Sequence, residues 1–357
     1  GNQIPDFSAV GFNNGEKIPQ VPVKIVLEPS VGDDTERIQQ AINKLSKQPV
    51  QKNGLRGTIL LKEGIYVISN TIKIKTGGIV IKGEGIGKIK KEMPDPPDSL
   101  EKMKQKLSGE EGTFILTKKN FHDSSSFQDN NGVAIELQGS GNAEKIKGTG
   151  SVITDLYVPV GAKSFHIKDP SKYKIGDKII VNRIVNKNWI SEIKMDQIPE
   201  NTSPNDFGDI TPVKQWQPFD LKYERIITNI KGNKLTVNAP IVNAIEYEWG
   251  GGEVYKYEDE DRLDKVGIED LKAISIWSPV DGLSPLTNSE IFVKYNNVKD
   301  CWIKNVTIEH FHNRGILVGR GSKRITIDNY NSFLSQDKYF EGYVARYGIE
   351  VRGQLIL

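Results

Sequence analysis

Ile303-Lys304-Asn305-Val306 and Ile327-Asp328-Asn329-Tyr330 decide how this chain folds. Both read Ile-x-Asn-hydrophobic, and from Asn305 to Asn329 is 24 residues, about one turn of a stacked β-coil. With Asp in place of Asn, the same register occurs at Ile268-Glu269-Asp270-Leu271 and at Ile153-Thr154-Asp155-Leu156. A second strand keeps step with the first: Gly315-Ile316-Leu317-Val318 matches Gly348-Ile349-Glu350-Val351. A coil this short cannot bury its inward Ile and Val alone, so the pattern predicts coils stacked on one another rather than a sandwich. Asp and Asn tolerate a left-handed corner and can hydrogen-bond along a stack, which gives Asp155, Asp270, Asn305 and Asn329 a structural role. Asn305-Val306-Thr307 is therefore not expected to carry a glycan, although it is one of two sequons, with Asn201-Thr202-Ser203.

Upstream of these coils, Asp33 and Glu36 form a capping-box pattern ahead of Ile38, Ala41, Ile42 and Leu45, which predicts an amphipathic helix over 33–46. Short β-branched runs follow at Gly57–Leu61, Gly64–Ile68, Thr71–Ile74 and Gly78–Ile81. Two stretches break the coil pattern. Residues 88–112 read as a surface excursion with a helical piece near Ser99–Leu107. Residues 163–260 read as an inserted β-rich subdomain, with a hairpin of Arg225–Ile230 and Lys234–Val237 around Gly232-Asn233. The expected division is 1–162 for the cap and first coils, 163–260 for the insertion and 261–357 for further coils.

A net charge of +2 over 357 residues gives no global field toward nucleic acid, and no apolar run is long enough to insert into a membrane. Cys301, the single cysteine, cannot close an internal disulfide. Any charge-based function must be local.

Asp33-Asp34-Thr35, Ile38-Gln39-x-Ala41-Ile42, Gly57-x-Ile59-x-Leu61-x-x-Gly64-x-Tyr66 and Ile79-x-Ile81-x-Gly83-x-Gly85 together resemble the opening of the pectate-lyase-like β-helix superfamily. The resemblance is close over about residues 30–85 and weaker over 260–357, and Lys62 stands where that group often has Pro. It implies an all-β fold: a right-handed parallel β-helix with an N-terminal capping helix, here carrying the inserted β-rich subdomain. It also implies a secreted or cell-surface protein whose partner is a polysaccharide. The superfamily holds lyases, hydrolases, epimerases, tailspikes and non-enzymatic surface proteins, so the fold does not name the reaction. There is no Gly-His-Gly and no closely spaced acidic pair on an expected outer strand, which disfavours a polygalacturonase-like hydrolase.

The chemistry is expected at Glu309-His310-Phe311-His312-Asn313-Arg314, the corner equivalent to the loops flanking the substrate groove in the resembling enzymes. On the next coil this corner expands into Leu334–Tyr347. A β-elimination lyase needs a base for the proton beside a uronate carboxylate and positive charge for the enolate-like intermediate. His312 is the expected base, Tyr339 or Tyr343 the acid, and Arg314 and Arg346 complete the catalytic set. Phe292, Lys294, Lys338, Tyr347, Glu350 and Arg352 are the expected substrate contacts, Arg suiting a carboxylate through bidentate pairing. His310 reads equally well as filling the core edge. The alternative function is a non-catalytic surface, fibre or tailspike-like protein that binds glycan without turnover.

Many lyases of the resembling fold recruit Ca2+, so calcium is a possible cofactor. The one dense acidic run, Glu258–Asp261, reads as a solvated turn, and zinc lacks a ligand set. The last residues, Gly353–Leu357, are apolar and strand-like, so the edge there is expected to be capped by a C-terminal continuation or an additional chain.

Overall fold

A computed structural model of the chain describes residues 1–88, 99–117, 132–141, 143–203, 210, 212–276, 289–311, 313–333 and 347–357. The chain divides into two compact units, one of residues 1–9 with 143–259, the other of 10–142 with 260–357. The β-rich insertion therefore begins at Ala143 rather than at 163. Residues 143–162 contribute Glu144–Lys145 and Ser151–Val152 to an antiparallel sheet instead of stacking as a coil.

In the unit of 143–259 every described strand pair is antiparallel. The expected hairpin is present, Lys231 pairing with Lys234 across Gly232 at φ +61°. Phe165, Ile179, Val181, Leu235 and Val254 fill its core. Asp155 belongs here and not to a coil. Leu156, which would have to point inward, is 75% exposed, while the Asp155 carboxylate accepts the His166 backbone N–H at 2.6 Å and meets His166 Nδ1 at 2.8 Å.

In the other unit every described strand pair is parallel. The chain alternates between two curled sheets. The first contains Gly57–Leu61, Ile79–Lys82, Gly267–Ser275, Val298–Glu309 and Lys323–Phe333, with Val23–Leu27 outermost and Gly64–Ile68 and Thr113–Thr117 joined alongside. The second is built, in spatial and chain order, from β1 (Ile72–Ile74), β2 (Val133–Gln138), β3 (Ile291–Asn296), β4 (Arg314–Val318) and β5 (Tyr347–Val351).

The repeated tetrad explains the first sheet. Ile59, Ile81, Ile268, Ile303 and Ile327 pair in register, and the first four are buried in the shared core. Each such side chain contributes about 1.5–3 kcal/mol relative to exposure. The third position of the tetrad then turns the chain. Asp270, Asn305 and Asn329 all have φ near +50°, the left-handed region in which a short polar side chain is tolerated. Their side chains form a ladder: Asn305 Nδ2 donates to Asp270 Oδ1 at 2.7 Å and Asn329 Nδ2 to Asn305 Oδ1 at 2.8 Å. Five residues before each, Lys265, Asp300 and Arg324 are left-handed as well, and Arg324 clasps the Asp300 carboxylate through Nε at 2.6 Å and Nη2 at 2.5 Å.

Helix α1 (Thr35–Ser46) buries Ile38, Ala41, Ile42 and Leu45 in the core, as the periodicity predicts. Its expected capping box does not form. Asp34, not Asp33, is the cap residue, and Glu36 accepts from Gln40 Nε2 at 3.0 Å instead of reaching back. Asp33 takes the Thr35 N–H at 2.7 Å, and buried Asp34 pairs with Arg37. Helix α2 (Leu100–Leu107), capped by Ser99, lays Met103 and Leu107 over Phe114, Leu116 and Ile274 on the outside of the first sheet.

Candidate functional site

Period-2 alternation along β1 to β5 sends one set of side chains into the core and leaves the other outside. Ile72, Ile135, Val293 and Ile316 share the inward register with Ile349. The next register outside runs Lys73, Glu136, Lys294, Leu317, Glu350. Two residues further along each strand stand Lys75, Gln138, Asn296, Gly319 and Arg352.

One carboxylate organises the middle of this face. Glu136 accepts from Gln138 Nε2 at 2.6 Å and Asn296 Nδ2 at 3.1 Å, with Lys294 Nζ at 3.8 Å. Beside Asn296 the chain needs glycine: a Cβ on Gly319 would lie 2.8 Å from Asn296 Oδ1 and 2.6 Å from Tyr295 O. At the far end Glu350 receives both Arg314 Nε and Arg352 Nε. Burial alone raises the Glu350 pKa, but the hydrogen bonds from the two guanidinium groups outweigh it and hold the carboxyl below the ordinary glutamate range. Tyr347, 47% exposed, stands on the same strand.

The predicted residues separate under this geometry. Arg314, Tyr347, Glu350 and Arg352 meet on β4 and β5. Lys294 lies on the same face but is buried, its ammonium directed to Glu136. Phe292 is a correction: its ring is fully buried in the core, 5.5 Å from Phe311, and presents no face to a sugar. Phe292 and Val293 both enter the core, so simple alternation fails there. His312, Lys338, Tyr339, Tyr343 and Arg346 lie outside the described residues.

His310 is 1% exposed, and burial, with the charges of Lys106 and Lys272, pulls its pKa down to about 4. Near it a buried pair that the sequence reading missed, Lys272 and Glu309, closes at 2.6 Å. Its signal was present: the residue after each tetrad is polar in all three stacked copies, Lys272, Thr307 and Asn331. With both side chains less than a tenth exposed, this pair holds strands together and has no open surface for a polymer. The run 258–261 is not simply a solvated turn either, since Asp259 is buried against Lys178. Among the described residues, no three His, Cys, Asp or Glu side chains gather as a metal cage. No described helix is long and apolar enough to cross a membrane, which says nothing of membrane β-barrels.

No family model matches the chain, and no curated protein sequence matches it. Among solved structures it is similar to the tailspike protein gp49 from Pseudomonas phage LKA1, at 13% identity over 85% of this chain and 36% of that one, TM-score 0.39. It is also similar to the gp54 tailspike of Acinetobacter baumannii bacteriophage AP22 in complex with capsular saccharide, at 9% identity over 84% and 44% of the two chains, TM-score 0.29. An iota-carrageenase complexed to iota-carrageenan fragments aligns at 10% identity over 93% and 40%, TM-score 0.36. The chain thus spans between 36% and 44% of the length of these three proteins.

Proposed function

We propose that the parallel unit is a right-handed β-helix that holds an acidic polysaccharide across β1 to β5 and cleaves it by β-elimination outside the cell or at its surface. Right-handedness follows the strong preference of parallel crossover connections. The observation that supports the reading best is the polar face that runs from Lys75 through Gln138 and Asn296, which pair in register, past Gly319 to Arg352. Four strand spacings of 4.7–4.9 Å give it a length of about 19 Å, a track for a linear polymer rather than a pocket for a small molecule. Amide groups along such a track suit sugar hydroxyls, and arginine at its end suits a uronate carboxylate. In this reading His312 removes the proton beside that carboxylate, Tyr339 or Tyr343 protonates the leaving oxygen, and Arg314, Arg346 and Lys338 offset the developing charge.

Glu350 favours a second reading, glycan binding without turnover, because its carboxylate already pairs with both Arg314 and Arg352 and offsets part of their charge. The two readings part in one assay. The protein is incubated with pectate, alginate, ulvan and glycosaminoglycan while the absorbance of the unsaturated product is followed, and binding is measured in parallel. For the lyase, His312→Ala abolishes product release on a substrate that the variant still binds. Binding without product from the wild type across the panel selects the second reading, and no binding at all overturns both.

A further inference from the structure

A cleft of about 580 Å³ opens between α1 and β1, lined by Gln39, Asn43 and Ser46 from the helix and by Asn70, Lys73 and Lys75 from the strand and its flanks. Two lysines and no carboxylate stand in its lining. Because Ile72 and Ile74 alternate into the core, Lys73 and Lys75 are both exposed. The Lys73 backbone is fixed from the helix side: Gln39 Nε2 donates to Lys73 O at 3.0 Å, and Lys73 N–H donates to Gln39 Oε1 at 2.9 Å. Gln39 Nε2 also reaches Asn43 Oδ1 at 3.2 Å, which ties the helical wall together. The cleft is therefore built from held groups, with cationic side chains over a polar wall.

Register connects it to the track. Lys73 stands in line with Glu136, Lys294 and Glu350, and Lys75 extends the line of Gln138, Asn296 and Arg352. We propose that this cleft is the terminal subsite of the polysaccharide track and takes an acidic sugar residue, its carboxylate between Lys73 and Lys75. The assignment rests on the glycan reading above and deepens it: the bound chain is anchored by charge at both ends of the second sheet, about 19 Å apart, with the amides of Gln138 and Asn296 gathered on Glu136 between.

The test uses the full chain, a size series of oligosaccharides from whichever acidic glycan the wild type binds, and the double variant Lys73→Ala/Lys75→Ala. Oligosaccharides long enough to span the sheet should lose about tenfold in affinity, the sum of two exposed charge contacts. Those too short to reach from Arg352 to the cleft should bind the variant and the wild type alike. Lys73→Arg/Lys75→Arg should restore the loss, and an unchanged urea midpoint in all variants excludes misfolding. Equal loss at every length, or no loss at any length, overturns the subsite while leaving glycan binding standing. A wild type that binds no acidic glycan overturns both.

Discussion

At Asn305 two requirements meet in one side chain. The backbone is left-handed at φ +53°, and the amide both donates to Asp270 and accepts from Asn329. Glycine would satisfy the first requirement and lose the second, while alanine would lose both. Asn305→Gly is therefore expected to cost about 1–3 kcal/mol, the net worth of two hydrogen bonds. Asn305→Ala should cost a further ~1–2 kcal/mol for the left-handed conformation. Urea unfolding of the two variants checks this, and equal losses would show that the ladder alone matters at this corner. These residues were legible because their chemistry is local: a short polar group at a fixed offset from a buried Ile is visible in one dimension. Asp155 shows the limit. It carries the same tetrad in a segment that pairs antiparallel, and the tetrad itself does not distinguish the two settings; only the residue after it does, Tyr157 standing where the stacked copies have Lys272, Thr307 and Asn331.

Between elements, the Lys272–Glu309 pair joins neighbouring strands of the first sheet on the face over which α2 packs its apolar residues. Removing one partner leaves a buried charge uncompensated, so Lys272→Met is expected to destabilise by about 3–5 kcal/mol. Lys272→Met/Glu309→Leu should recover much of that, since two apolar side chains of similar volume need no solvation. Chemical denaturation of both variants decides it; a double variant as unstable as the single one would assign the pair a larger role than charge compensation. This pair could not be read from the sequence in the way the tetrad could, because its partners lie 37 residues apart and meet only once the register is known. Phe292 failed for the opposite reason. Alternation is a rule for regular strands, and at the start of β3 consecutive residues enter the core. Glu136, which gathers the polar face, sits in a strand with no tetrad to announce it.

For the molecule as a whole, buried His310 links folding to pH. Its proton is held out in the folded state, with a pKa of about 4 against an ordinary 6.5. The stabilisation is complete above pH 6.5 and is lost as pH falls through about 4, because the unfolded chain takes up the proton first. The gap corresponds to roughly 3 kcal/mol. Wild type and His310→Asn should therefore differ in how far their urea midpoints fall between neutral pH and about pH 4.5, the variant losing less. Identical falls would place the acid sensitivity in carboxylates such as Glu350, whose depressed pKa acts in the same direction. The parallel architecture of this unit was legible from the repeats, and so was the antiparallel hairpin of the other. The boundary between the units was not, because residues 143–162 carry coil-like spellings in a different pairing.

The amide of Gln39, bonded to both backbone groups of Lys73, has a consequence for how such a chain grows over generations. A side chain that occupies the hydrogen-bonding groups of β1 leaves no ladder there for a newly added strand to join. Duplications that lengthen the stack must enter downstream of α1, where a coil such as the 24 residues from Asn305 to Asn329 brings its own Ile, its own left-handed Asn and its own outward polar residue. The helix fixes one end as the origin, and the length of the second sheet becomes a quantity that inheritance can count in whole coils.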